Sequence, residues 1–186
     1  MKIGIFPGSY DPIHNDHIKI INELLNKKII DKIILIPLEN YWDKKITSNL
    51  KDRIKMLKLI SNEKIIIKEN LENSYAYQII NEIKKEHKNI YYIIGADNLE
   101  TLNKWKNVEE VLKENFIVIN RNNIDVNQML KNNNYDIDKF TIINLTTSLS
   151  STNIRKKINN KEDVKEYLDK KIYNYIKENN LYEGGN

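Results

Sequence analysis

Short apolar runs alternating with amphipathic stretches constrain this chain more than any other feature. "KIGIF" (2–6), "KIILIP" (32–37), "KIIIK" (64–68), "IYYIIG" (90–95), "FIVIN" (116–120) and "FTIINL" (140–145) are rich in β-branched and aromatic residues and nearly continuous in hydrophobicity. Strands buried on both faces read this way. Between them lie "HIKIINELLNKK", "LKDRIKMLKLI", "YAYQIINEIKKEH" and "VEEVLKEN", whose apolar residues fall three and four apart, as on one face of a helix. Strand alternating with helix implies right-handed crossovers and a parallel sheet covered on both sides. The pattern predicts a doubly wound α/β domain of the Rossmann-like kind. "SSTNIRKKI" and "VKEYLDKKIYNYIKENN" are expected as C-terminal helices packed on that sheet.

The length of 186 residues suits one domain spanning 1–186. No run of about 18 apolar residues is present, so no membrane span or membrane partner is expected. The start, "MKIGIFPGS", has too short an apolar region for a secretory signal. Without cysteine there are no disulfides or thiolate metal sites, and a cytoplasmic protein is expected. The net charge of +4 comes from 30 basic and 26 acidic side chains, finely mixed as in "KDRIKMLK". Such mixing marks a solvated surface, and no nucleic-acid partner is expected. Whether the chain forms a homo-oligomer is not legible in its sequence.

One stretch concentrates residues that the chain otherwise uses sparingly. "FPGSYDPIHNDHIKII" (6–21) holds two of the 3 histidines, two of the 3 prolines and Gly8. It follows the first strand and opens the first helix. In open α/β sheets ligands bind at such carboxyl ends of strands. Gly8 there permits close backbone approach or a positive φ. A helix N-terminus offers free N–H groups and positive partial charge to a phosphate. His14 and His17, three apart, point the same way and could donate to oxygens that gain charge in phosphoryl transfer. A metal is the other reading of such a pair, but zinc would need a further protein ligand, and His87 lies apart in "KKEHKN". A second stretch, "SLSSTNIRKKI" (148–158), sets Ser150, Ser151 and Thr152 at a helix start with Arg155 on the next turn. Hydroxyls, free N–H groups and a planar guanidinium suit phosphate, although a serine N-cap with a surface arginine would look the same.

"GSYDPIHNDH" resembles the first signature of the nucleotidyltransferase superfamily, a glycine turn, aspartate-proline, then a histidine-x-glycine-histidine tetrad. "SLSSTNIRKKI" resembles the second. "PGSYDP" alone would equally suit phosphopantetheine adenylyltransferase. "DRIKML" (52–57), "NSYAYQII" (73–80), "YYIIGADNLETLNKW" (91–105), "FIVINR" (116–121) and "YIKENNLY" (175–182) are similar to segments of bacterial nicotinate-nucleotide adenylyltransferases in the same order.

The resemblance implies transfer of the adenylyl group of ATP to nicotinate mononucleotide, with pyrophosphate released and magnesium carried in with ATP. It implies an ATP site of Gly8, Ser9, Asp11, His14, His17, Gly95, Asp97, Ser151, Thr152 and Arg155, with His14, His17 and Arg155 as the catalytic set. For the mononucleotide it implies Ser74, Tyr75, Asp97 and Trp105, with Lys44 or Lys45 at the acceptor phosphate. The other readings are a phosphopantetheine acceptor and a non-catalytic nucleotide-binding protein. Ala76 stands where the family has threonine, and "PLENYWDKK" lacks the family's proline-rich turn before its lysine. Asp16 replaces the glycine of the first signature. Its charge is expected to repel a triphosphate, so that glycine there would tighten ATP binding.

Overall fold

The computed structural model describes residues 1–39, 46–121 and 124–184. All six expected apolar runs are strands: β1 (Ile3–Gly8), β2 (Lys32–Pro37), β3 (Ile65–Ile67), β4 (Ile90–Gly95), β5 (Asn115–Asn120) and β6 (Phe140–Asn144). They form one parallel sheet in the order β3-β2-β1-β4-β5-β6. Chain order therefore reverses between β1 and β4, which makes that boundary the sheet's switch point.

Alternation along each strand sends side chains into two apolar layers. Ile33, Leu35, Ile93 and Ile117 meet α1 (Asn15–Asn26), α2 (Leu50–Lys58), α6 (Ser151–Asn159) and α7 (Lys170–Glu178) on one face. Ile34, Ile36, Ile94 and Val118 meet α3 (Ala76–Lys84), α4 (Val108–Val111) and α5 (Val126–Asn132) on the other. A fully buried isoleucine such as Ile172 of α7 contributes about 1.5–3 kcal/mol.

The structure redraws three boundaries. β1 runs on through Pro7 and Gly8, which the pattern placed in the turn. The expected helix over 108–115 starts at Val108 but is a single turn, α4, because β5 already begins at Asn115. The apolar periodicity over 164–180 is interrupted. A 3₁₀ turn (Lys165–Tyr167) gives way to extended Leu168, and the Asp169 carboxylate caps α7 by accepting from the Lys171 amide at 2.8 Å.

Candidate active site

The site exists because two adjacent strands part. β1 pairs with β4 only through Ile3, Gly4 and Ile5, whereas its pairing with β2 continues to Gly8. Above that point Phe6–Gly8 and Ile93–Gly95 diverge. Pro7 fits here for a definite reason. The Ile3 amide donates to Asn89 on the β4 side, and position 7, four residues on, faces the same way, where the ladder has ended. A proline there leaves no ladder bond unmade. Over the gap lies a cleft of about 440 Å³, and all ten residues expected at the ATP site line it.

His14 is the N-cap of α1 and His17 its third residue. The His14 amide donates to His17 Nδ1 at 3.3 Å, and the ring centroids lie 3.9 Å apart. With Nδ1 accepting, a neutral His17 carries its proton on Nε2. Tyr10 packs its ring edge-on against His17 at 5.3 Å. His14 is buried, and its Nδ1 faces the reciprocal half of the capping arrangement without a hydrogen bond of normal geometry. Burial lowers its pKa from 6.5 to about 4, with Arg121 adding to the effect and Asp16 opposing it.

His14 is therefore uncharged at neutral pH, a polar group rather than a cationic one. Folding lowers its proton affinity, so the unfolded chain binds more protons between pH 6.5 and about 4. Its contribution to stability is complete above pH 6.5 and is lost on acidification at about 1.4 kcal/mol per unit across that window. Urea unfolding of the parent and His14→Gln between pH 7 and 4.5 checks this. The variant should show a shallower acid slope, and identical slopes would place no buried neutral imidazole at position 14.

The second stretch closes the cleft from α6. Ser150 caps the helix, its hydroxyl accepting from the Asn153 amide, and Ser151 Oγ donates to Pro12 O at 3.0 Å. Arg155 Nη1 donates to Asp11 O at 2.6 Å and lies 3.8 Å from Asp11 Oδ2, while Nη2 approaches Thr152 Oγ1 at 3.4 Å. The guanidinium is thus an anchored fork. Asp11 borders the cleft, but its buried carboxylate serves protein donors: Thr47 N to Oδ2, and Ser48 N, Ser48 Oγ and the Tyr182 hydroxyl to Oδ1. Its geometry is that of a positioning residue. Gly8 does not take the positive φ that is one of its two expected uses; among the described glycines that conformation occurs at Gly184. A Cβ on Gly8 would stand 3.1 Å from the buried Tyr10 ring, so its missing side chain makes room for tyrosine. On β4, a Cβ on Gly95 would collide with the Asp97 carboxylate, whose Oδ1 lies 3.6 Å from Arg121 Nη2.

A second cleft, of about 580 Å³, adjoins the first across Pro7, Ile93 and Ile94, which line both. Ser74, Tyr75, Ala76, Tyr92 and Trp105 make it largely apolar, with Lys104 and Lys106 at its edge. Trp105 meets Tyr92 edge-on at 6.0 Å, packs against the core layer and buries an unpartnered Nε1. Lys106 Nζ sits 4.4 Å from the centroid of the exposed Tyr75 ring.

Residues 5–157 match the family model described as cytidylyltransferase-like. A protein of Clostridium novyi (strain NT) named "Probable nicotinate-nucleotide adenylyltransferase" is 37% identical, over 98% of this chain and 99% of its own. One of the same name from Clostridium tetani is 36% identical, over 97% and 98%. The chain belongs to the nicotinate-nucleotide adenylyltransferase family. Among solved structures, a nicotinic acid mononucleotide adenylyltransferase of Plasmodium falciparum complexed with NaAD superposes with a TM-score of 0.80 at 25% identity, over 97% of each chain.

Within this adenylyltransferase family member the two expected residue groups fall into the two clefts. Ser74, Tyr75 and Trp105 line the second; Asp97, expected to serve both substrates, lines the first and is not among those lining the second. Lys44 and Lys45 lie outside the described residues. Arg121 lines the first cleft and was not singled out in the sequence, although it follows β5 much as Asp97 follows β4. The described residues contain no group of three His, Cys, Asp or Glu placed to hold a metal ion, and no helix among them is long and apolar enough to cross a membrane.

Proposed function

We propose that this protein transfers the adenylyl group of ATP to nicotinate mononucleotide, forming nicotinate adenine dinucleotide and pyrophosphate. One observation carries the reading: a polar cleft and an aromatic cleft meet over the switch point, so a phosphate held in one lies beside a flat ring held in the other. The acceptor phosphate oxygen attacks the α-phosphorus of ATP, and the bond to the bridging oxygen of pyrophosphate breaks. The acceptor is already an anionic nucleophile, so the protein's tasks are alignment and charge stabilisation. His17 and the anchored Arg155 fork supply donors to the phosphates. ATP enters as its magnesium complex, a substrate in which phosphate oxygens and water hold the ion. The cleft's own carboxylates are otherwise engaged: Asp11 by four donors, and Asp97 beside Arg121.

The second cleft favours an acidic ring, because Lys104 and Lys106 line it and no carboxylate among its described residues does. Pyrophosphate release from ATP is measured with nicotinate mononucleotide, nicotinamide mononucleotide and phosphopantetheine in turn. Release should be fastest with the first. Release only with phosphopantetheine would move the acceptor assignment, and ATP binding without release for any of them would mark a non-catalytic nucleotide binder. Trp105→Ala should raise KM for the mononucleotide about tenfold and leave KM for ATP nearly unchanged, since aromatic contact contributes about 0.5–1.5 kcal/mol beyond area. Equal effects on both substrates with a lowered Tm would assign Trp105 to the core alone.

A further inference from the structure

The residue at the centre of the first signature does something its charge alone does not suggest. Asp16 Oδ2 accepts two backbone hydrogen bonds, from Ser148 N at 2.9 Å and Leu149 N at 2.7 Å. These amides belong to the strap that joins β6 to α6. The strap's last sheet contact is the Leu145 amide on Asn120 O, and from there to the Ser150 cap it has no regular structure. One helical turn beyond Asp16, Lys19 Nζ donates to Thr146 O at 2.8 Å. The first turns of α1 thus hold the strap at two points, and the strap in turn presents Leu149, Ser150, Ser151 and Thr152 along the cleft.

We propose that Asp16 is a positioning residue for the ATP phosphates: its carboxylate fixes the strap so that the start of α6 and the α1 histidines face one cleft. The proposal rests on the adenylyl-transfer reading, because it assigns the phosphates to that cleft. The two amide donors stabilise the carboxylate without cancelling its charge, so removing the side chain takes away an anchor of the strap as well as a charge, and the proposal is that the anchor has the larger effect on ATP binding. For glycine at this position the proposal predicts the opposite of the sequence-based expectation. A glycine there has no side chain to hold the strap, and ATP binding should weaken.

Both bonds converge on a single oxygen, and this gives the test its discrimination. An asparagine carbonyl oxygen can accept the same two amides, whereas alanine and glycine cannot. ATP binding by calorimetry in the presence of magnesium, without acceptor, is compared for the parent, Asp16→Asn, Asp16→Ala and Asp16→Gly. KM for both substrates and amide exchange at Ser148 and Leu149 are measured alongside. Asp16→Ala and Asp16→Gly should weaken ATP binding about tenfold, speed exchange at both amides and leave KM for the mononucleotide within about twofold. Asp16→Asn should stay within about threefold of the parent in ATP binding and keep both amides protected. Three results would overturn the proposal: glycine binding ATP as tightly as the parent, asparagine failing like alanine (the carboxylate charge itself being needed, as at a magnesium site), or exchange unchanged in every variant. A parent that binds ATP yet turns over none of the acceptors defeats the catalytic reading alone, because strap and binding are read without turnover. A parent that binds no ATP defeats both.

Discussion

His17→Ala is expected to lower kcat about a hundredfold while costing only about 1 kcal/mol of stability, the ordinary loss of a helix cap. The separation of the two effects follows from how the ring is held. Nδ1 takes the His14 amide, the Tyr10 ring packs against one side, and the His14 ring stacks tilted at 3.9 Å. Orientation is therefore set before any nucleotide arrives, and a donor fixed in advance needs no reorganisation as charge develops. His17→Gln is the informative partner variant. Glutamine at the third helical position can return a hydrogen bond to the cap amide, so it should keep the parent Tm. Its flexible amide is a poorer donor than the packed imidazole, and its kcat should fall between alanine and parent. Steady-state kinetics and thermal melting of both variants decide the matter. Turnover equal to the parent in His17→Ala would remove His17 from the chemistry and leave it a capping residue.

The sheet was legible because each strand carries its own nearly continuous apolar run, and the inner strands β1, β2, β4 and β5 are largely buried on both faces, a pattern that needs no long-range information. The sequence also locates both halves of the first cleft, since a glycine at the end of the first apolar run and a serine cluster at a helix start are local patterns. What it conceals is what those residues touch. Asp11 and Tyr182 are 171 positions apart and meet at 2.9 Å, and Arg53 is buried with Nη1 donating to Ser9 O and Leu38 O. No periodicity encodes such pairings. Gly8 shows a subtler gap: a glycine beside a site suggests backbone freedom or ligand approach, and nothing local reveals that its hydrogen side chain also admits the Tyr10 ring. The interruption at Asp169, by contrast, was readable. An aspartate directly before the periodic run "KKIYNYI" is a helix-start signal inside what looked like one long helix.

The largest stability effect belongs to the buried carboxylate that sequence reading had given to ATP. Asp11→Ala is expected to cost about 3–5 kcal/mol, the range for removing one partner from a buried charged network. Four protein donors and the Arg155 guanidinium surround that carboxylate, and the Arg53 guanidinium feels its charge, which opposes the lowering of the Arg53 pKa by burial. Burial and the same charge push the Tyr182 phenol up, so it stays protonated and donates. Asparagine should not rescue this position. Oδ2 accepts from the Thr47 amide and Oδ1 from the Ser48 amide and hydroxyl as well as Tyr182. Whichever way an asparagine is turned, its NH₂ group faces a donor, leaving two buried N–H groups opposed. Asp11→Asn should therefore lose nearly as much as Asp11→Ala, whereas Tyr182→Phe, which removes one donor and leaves the charge in place, should lose about 1–2 kcal/mol. Urea unfolding of the three variants at pH 7 measures this, with melting in saturating ATP to show whether the cleft survives. Because Arg155 is also bonded to the Asp11 carbonyl, which no substitution removes, folded variants should still bind ATP, though more weakly. An Asp11→Asn variant with the parent's midpoint would mean that one carboxylate oxygen suffices, and that the donors around Asp11 do not form the hub that ties the 47–48 segment, α6 and the C-terminal Tyr182 to the first signature.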